Sequence, residues 1–222
     1  NKMVFQPRKL LRISSDANHE SVKDQIHFSS EINFQSNIEC DPIQNAWIIP
    51  AQVCYCAEAF SAVNFQHPDA PKLSLLSAAL RNGYLHSAIR EKGGAYGSGA
   101  SNEPSTGVFR FFSYRDPNCK NTFDHFKKSI EWLDTNLSQQ NLDEAILNVI
   151  SSIDKPLSPS GEAKVDFYGT LNGKSHEDLV AFRDGVLNTN ISDIKRVAEK
   201  YLMQDSFKSC LLYTSPSPRD LR

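Results

Sequence analysis

The stretch LSLLSAALRNGYLHSAIREKGGAYGSGA, residues 73–100, is where the fold is decided. Leu73, Leu76, Leu80 and Tyr84 recur at steps of three and four, one face of a helix, and Leu85 and Ile89 extend it. Arg90 and Lys92 suit the negative end of the helix dipole. Gly93 is the expected stop, because Gly enters left-handed backbone at little cost. Four glycines then fall between Gly93 and Gly99, with a single tyrosine, Tyr96, among them. A strand is expected from near Ala95. NEPSTG (Asn102–Gly107) supplies a turn, and GVFRFFSY (Gly107–Tyr114) alternates with a period of two. Val108, Arg110, Phe112 and Tyr114 face one way, and Phe109, Phe111 and Ser113 the other; large residues on both faces predict a central strand.

Upstream, Ala46–Phe65 is rich in Val, Ile, Tyr and Cys and reads as strand with a turn. Asp69 is placed to cap the helix, whose first turn tolerates Pro71. KLLRIS and INFQ, within the polar first 44 residues, are expected as short strands. Downstream, Asp116 and Pro117 open a helix carrying Phe123, Phe126, Ile130 and Leu133 on one face. Another is expected from about Leu142 to Ile153, a looser one over Glu162–Asn172, and a capping box, SHED (Ser175–Asp178), opens the next. Ser192 is the expected cap of the last helix, through Ile194, Val197 and Tyr201, and FKSC (Phe207–Cys210) begins a further strand. Strands and helices in runs, without strict alternation, predict an α+β fold: an antiparallel sheet with helices packed on one face.

The final residues follow a different logic. CLLYTSPSPRD, Cys210–Asp220, matches the translation of a transposase sequencing adapter residue for residue. Residues 210–222 are therefore expected to be non-native, with the native strand truncated near Ser209 and the added residues packing against nothing specific or pairing only as an accidental completion of the sheet edge by LLY. The expected organisation is a linker or the end of a preceding domain over residues 1–44 and the α+β domain over 45–209.

Composition excludes more than it assigns. The 222 residues, 40% hydrophobic, suffice for one real core. With 26 acidic and 24 basic residues, nothing points to nucleic acid or an anionic membrane, and no apolar run approaches the roughly 20 residues of a membrane span. Cys40, Cys54, Cys56, Cys119 and Cys210 form no disulfide framework. Cys54 and Cys56 would point the same way on a strand and read as buried apolar residues; half of a zinc site would need partners that do not lie nearby in sequence. None of the six histidines belongs to H-E-x-x-H or H-x-x-E-H, so no metal ligands are assigned. His86 and His125 read as satisfied surface or boundary residues. The glycines follow a helix and enter a strand, the reverse of the order that offers helix N–H groups to a phosphate.

Arg90 and Tyr96 remain as candidates. Taken alone, the first is a solvated cation at a helix end and the second a tyrosine on a core rim. The glycines change that balance. Ala95, Gly97 and Gly99 share one strand face and leave room for something to press against it. Tyr96 is then expected on the opposite face, its hydroxyl free, with Arg90 reaching toward the same space.

LHSAIREKGGAYG (Leu85–Gly97) followed by FRFFSYRDPN (Phe109–Asn118) resembles the C-terminal domain of pitrilysin/insulinase-type zinc metallopeptidases, in the presequence-protease branch. HPDA (His67–Ala70), SIEWL (Ser129–Leu133) and DIKRVAEKYL (Asp193–Leu202) fit in the same order, so the resemblance spans about residues 45–205. It implies a large peptidase of four related α+β domains, whose two bowl-shaped halves close on an unfolded peptide. Zinc would sit in the N-terminal domain of the parent, on an H-x-x-E-H helix this chain lacks. The chain alone would hold no cofactor and be inactive. Its partners would be the upstream domains of the same polypeptide and unfolded peptide substrates. Arg90 and Tyr96 would be catalytic and substrate-binding, holding the scissile carbonyl and the oxyanion opposite zinc. Two other functions share these features: a non-catalytic structural or regulatory subunit of the same fold, and a free-standing peptide-binding module. The expected location is the bacterial cytoplasm in preference to a mitochondrial or other organelle matrix.

Overall fold

A computed structural model describes residues 43–49 and 52–213. KLLRIS, INFQ and Cys40 lie outside the described residues. Five strands form one sheet in the order β1 (Gln44–Ile49), β5 (Phe207–Tyr213), β2 (Cys54–Ser61), β4 (Val108–Asp116), β3 (Gly97–Glu103). The helices are α1 (Ala70–Leu80), continued by a π-helical segment over Arg81–Glu91, then α2 (Cys119–Asn136), α3 (Gln139–Ile153), α4 (Pro159–Leu171), α5 (His176–Leu187) and α6 (Ile191–Leu202).

The strands are half-buried, and that sets the layers. Cys54, Cys56, Glu58 and Phe60 of β2 alternate inward with Tyr55, Ala57, Ala59 and Ser61 on the other side. On β4, Phe109, Phe111 and Ser113 are buried, whereas Arg110 and Tyr114 are exposed. Helices α1, α2 and α6 contact the sheet, so the fold is the expected two-layer α+β arrangement. Phe111 centres the core: its ring stacks on Phe126 of α2 at 5.3 Å and meets Phe60 and Phe109 edge-on at 6.0 and 5.5 Å. β4 is an interior strand, but among the described residues its second large face carries no further layer of helices, and Arg110 and Tyr114 on it are exposed. Phe112 and Tyr114 there cover Gly99 and Gly97 of β3, their cross-strand partners.

Three expectations about strands change. β1 and β2 are consecutive yet do not form a hairpin, because β5 lies between them. β1 pairs parallel to β5, from Gln44↔Lys208 to Ile49↔Tyr213, so the sheet is antiparallel except at that edge. The last strand does not stop at Ser209: it runs seven residues to Tyr213, flanked on both sides, with Cys210 buried. Ladder hydrogen bonds come from the backbone, so a short C-L-L-Y run pairs whatever its origin.

Helix boundaries also move. Asn190, not Ser192, is the cap of α6, and it forms a capping box with Asp193. Ser138 and Asn141 make the corresponding box on α3, which begins at Gln139, three residues before the expected start. Asp116 ends β4 fully buried, and its carboxylate accepts from Asn118 N–H at 2.8 Å and Thr122 Oγ1 at 2.6 Å. Residues 156–173 belong to a second compact unit. Within it α4 starts at Pro159, capped by Ser158, and buries none of its residues.

Candidate functional site

The turn from Arg90 to Tyr96 is built by a helix that widens before it ends. Lys92 N–H donates to Ser87 C=O at 3.0 Å, the i→i−5 spacing of a π-helix. The exit is correspondingly one residue wider than an ordinary glycine cap. Gly94 N–H reaches Arg90 C=O at 3.0 Å, and Ala95 N–H reaches Ile89 C=O at 3.1 Å. The left-handed residue is Gly94, at φ +79°, one position beyond the expected stop. Arg90 and Tyr96 thus flank the neck of a single turn. From the neighbouring element, Asn118 Nδ2 donates to Gly93 C=O at 2.6 Å, and Asn118 is itself held by buried Asp116.

Arg90 is exposed, and its Nη1 donates to Nε2 of His86 at 3.0 Å, one turn back on the same face. His86 is therefore a surface residue that steers a guanidinium. His125 is the boundary residue expected, its Nδ1 3.0 Å from the Tyr84 hydroxyl; burial, then the nearby Lys128, draws its pKa down.

Tyr96 stands 63% exposed, and not where alternation puts it. It precedes β3, in a bend outside the ladder, so it has no opposite strand face to occupy. Its ring lies 5.7 Å from the ring of Tyr114, the residue that covers Gly97. Its N–H donates to Arg115 C=O at 3.2 Å, and the Arg115 guanidinium sits 5.3 Å from its ring centroid. Such a cation–π contact at an exposed site contributes about 0.5–1 kcal/mol. Arg115 occupies a bulge: Cys54 pairs with Asp116 and Cys56 with Ser113, which leaves β4 one residue longer than β2. Its φ is +48°, the only positive value at a non-glycine residue among those described. Sequence reasoning passed over Arg115 and Asn118; the turn signature in RDPN was the available signal.

The described residues offer one grouping of potential metal ligands. The fold brings Cys119 and Cys210 beside Cys56, with all three Sγ atoms within 4.8 Å of one another. Burial pushes the Cys56 thiol far up and the Cys210 thiol up to about 12, with Cys119 adding to both. Burial thus favours the neutral thiol at Cys56 and Cys210. Zinc peptidases of the H-E-x-x-H and H-x-x-E-H kind hold the metal with two histidines and a carboxylate, a set this trio does not supply.

The sequence pattern of the PreP C-terminal domain matches residues 44–212. The chain belongs to the PreP C-terminal domain family. The mitochondrial presequence protease of Emericella nidulans is 42% identical over 166 residues, 74% of this chain and 16% of that protein. That of Drosophila melanogaster is 34% identical over 205 residues, 90% of this chain and 19% of that protein. The chain therefore spans less than a fifth of the length of these relatives. Its fold is also that of a chain in complex III2 from Candida albicans, at a TM-score of 0.71 and 12% identity, covering 90% of this chain and 52% of that one. Through these relatives the PreP C-terminal domain is part of a peptidase family.

Proposed function

We propose that this chain is the C-terminal domain of a larger zinc metalloendopeptidase that degrades unfolded peptides, and that it supplies Arg90 and Tyr96 to a reaction centre carried by another domain. The observation that carries this reading is the phenol of Tyr96. It is presented to solvent at the neck of a turn, yet fixed by Tyr114, Arg115 and its own backbone N–H. A preorganised donor of this kind stabilises charge that develops on a carbonyl oxygen. The guanidinium of Arg90, steered by His86, adds a second set of donors at the same neck. Alone, the chain has no hydrolytic centre among its described residues. Zinc would be held elsewhere in the polypeptide.

The relatives named above are mitochondrial and eukaryotic. We accordingly place the parent in the mitochondrial matrix, and the lean toward a bacterial cytoplasm finds no support. The upstream domains of the same polypeptide and unfolded peptides are its proposed partners. Residues 210–222 keep their proposed reading as translated adapter.

The test is steady-state cleavage of a quenched fluorescent peptide by the full-length peptidase carrying this domain. Tyr96→Phe is expected to fold normally and to lower kcat by roughly 10²–10³. Arg90→Lys is expected to lower it as well, because an ammonium does not reproduce the guanidinium fork. Wild-type kcat and KM in Tyr96→Phe would show the phenol to be structural. The shared fold with a chain of complex III2 favours one rival, a non-catalytic scaffold subunit. An intact H-x-x-E-H in the parent reading frame excludes it.

A further inference from the structure

We infer that Arg115 is a positioning residue for Tyr96, an inference that rests on the catalytic reading of that phenol. Three observations meet at this residue. First, it is a β-bulge, the device that re-aims a strand where a side chain must be directed. Second, its backbone is left-handed, at φ +48°, in the kind of bulge position that glycine fills without strain. An arginine held there is explained by what its side chain does. Third, it grips Tyr96 at both ends: its carbonyl accepts from the Tyr96 N–H at 3.2 Å, and its guanidinium covers the ring at 5.3 Å.

The geometry divides the work. The bulge turns the Arg115 carbonyl toward Tyr96 and fixes where the chain enters β3. The guanidinium and the Tyr114 ring then restrain the side chain of a residue that is 63% exposed. Asn118, three residues on, ties the same segment to Gly93, so the bulge and the glycine turn move as one piece. Arg115 touches the donor, not the reacting atoms. It acts by keeping the hydroxyl at one place.

The experiment compares Arg115→Asn, Arg115→Lys, Tyr96→Phe and the double variant Tyr96→Phe/Arg115→Asn in the full-length peptidase, by kcat, KM and melting temperature. Asn tolerates left-handed backbone, so Arg115→Asn is expected to melt at or above the wild-type temperature. Its kcat is nonetheless expected to fall about two- to fivefold with KM unchanged, the kinetic equivalent of one exposed cation–π contact. Arg115→Lys restores most of that loss, because it keeps a cation over the ring. On top of Tyr96→Phe, Arg115→Asn should change nothing, since no hydroxyl remains to be placed. Wild-type kcat in Arg115→Asn beside a depressed Tyr96→Phe overturns this inference and leaves the role of Tyr96 standing. So does a full additional loss in the double variant. Wild-type kcat in Tyr96→Phe removes the catalytic reading itself, and this inference with it.

Discussion

Gly94 and Arg115 share the left-handed region of backbone space, at φ +79° and +48°, for opposite reasons. Gly94 is there because the widened helix exit needs it. The nearest atom to a Cβ at that position is Pro117 Cγ, at 3.6 Å, so a methyl group would meet no clash. Gly94→Ala therefore isolates backbone cost, expected at about 1–2 kcal/mol. Urea unfolding should show a lower midpoint with an unchanged slope, and an unshifted midpoint would mean that the turn relaxes to another conformation. Arg115 is there despite having a side chain. This difference explains what was legible residue by residue. A run of glycines announces a turn, and that turn is what singled out Tyr96 and Arg90 as candidates. For Arg115 the RDPN turn signature marks only the end of a strand; the bulge itself shows in the pairing of β2 with β4. The expected strand-face position of Tyr96 failed for the same reason: alternation holds only inside a ladder, and Tyr96 lies just outside one.

Among the elements, the junction of α1 with α6 shows how one polar residue ties helices far apart in sequence. Asp69 precedes α1 at the cap position, but its side chain makes no cap hydrogen bond. It is buried and accepts from Arg196 at 2.7 Å, Lys200 at 3.1 Å and the Tyr201 hydroxyl at 2.8 Å, all on α6. Burial alone would raise its pKa; the hydrogen bonds from Arg196, Tyr201 and Lys200 outweigh burial and hold it well below the usual carboxylate range. The stabilisation is thus present at neutral pH and above the unfolded value near 4, and is lost as pH falls below that toward the folded value. Asp69→Asn is expected to cost about 1–3 kcal/mol at pH 7, toward the low end because Arg196 and Lys200 are half exposed. Acid titration of stability should show the gap between wild type and variant closing below about pH 4. A gap that stays constant through the whole acid titration would mean that the contact is steric. The helix itself was readable from its period, and Asp69 was correctly placed at its start. Its real partners, on a helix near the other end of the chain, leave no trace in local sequence.

Taken entire, the described residues form one continuous hydrophobic core, and in the proposed reading they add only part of a reaction centre to it. The purified chain is expected to cleave no peptide and, after dialysis at neutral pH, to hold no stoichiometric zinc by elemental analysis. Cys56 and Cys210 are protonated there, and the described residues bring no histidine or carboxylate to them. One zinc per chain, or turnover of a quenched peptide by the chain alone, would refute this. The proposed separation of roles suits a domain that spans 16–19% of its relatives' length.

Local and periodic features were settled by the amino-acid order alone. The helical repeat through Leu73, Leu76 and Leu80, the alternation through Phe109 and Phe111, and the glycine turn between them define helix, hairpin and α+β class. Each of these follows from bond geometry over a few residues. The insertion of β5 between β1 and β2, the gathering of the cysteines and the bulge of Arg115 toward Tyr96 were settled only by tertiary packing. Those depend on which distant backbone groups find each other, and every strand offers the same N–H and C=O groups. Pairing across such separations is decided by which arrangement buries the apolar faces of all the elements at once.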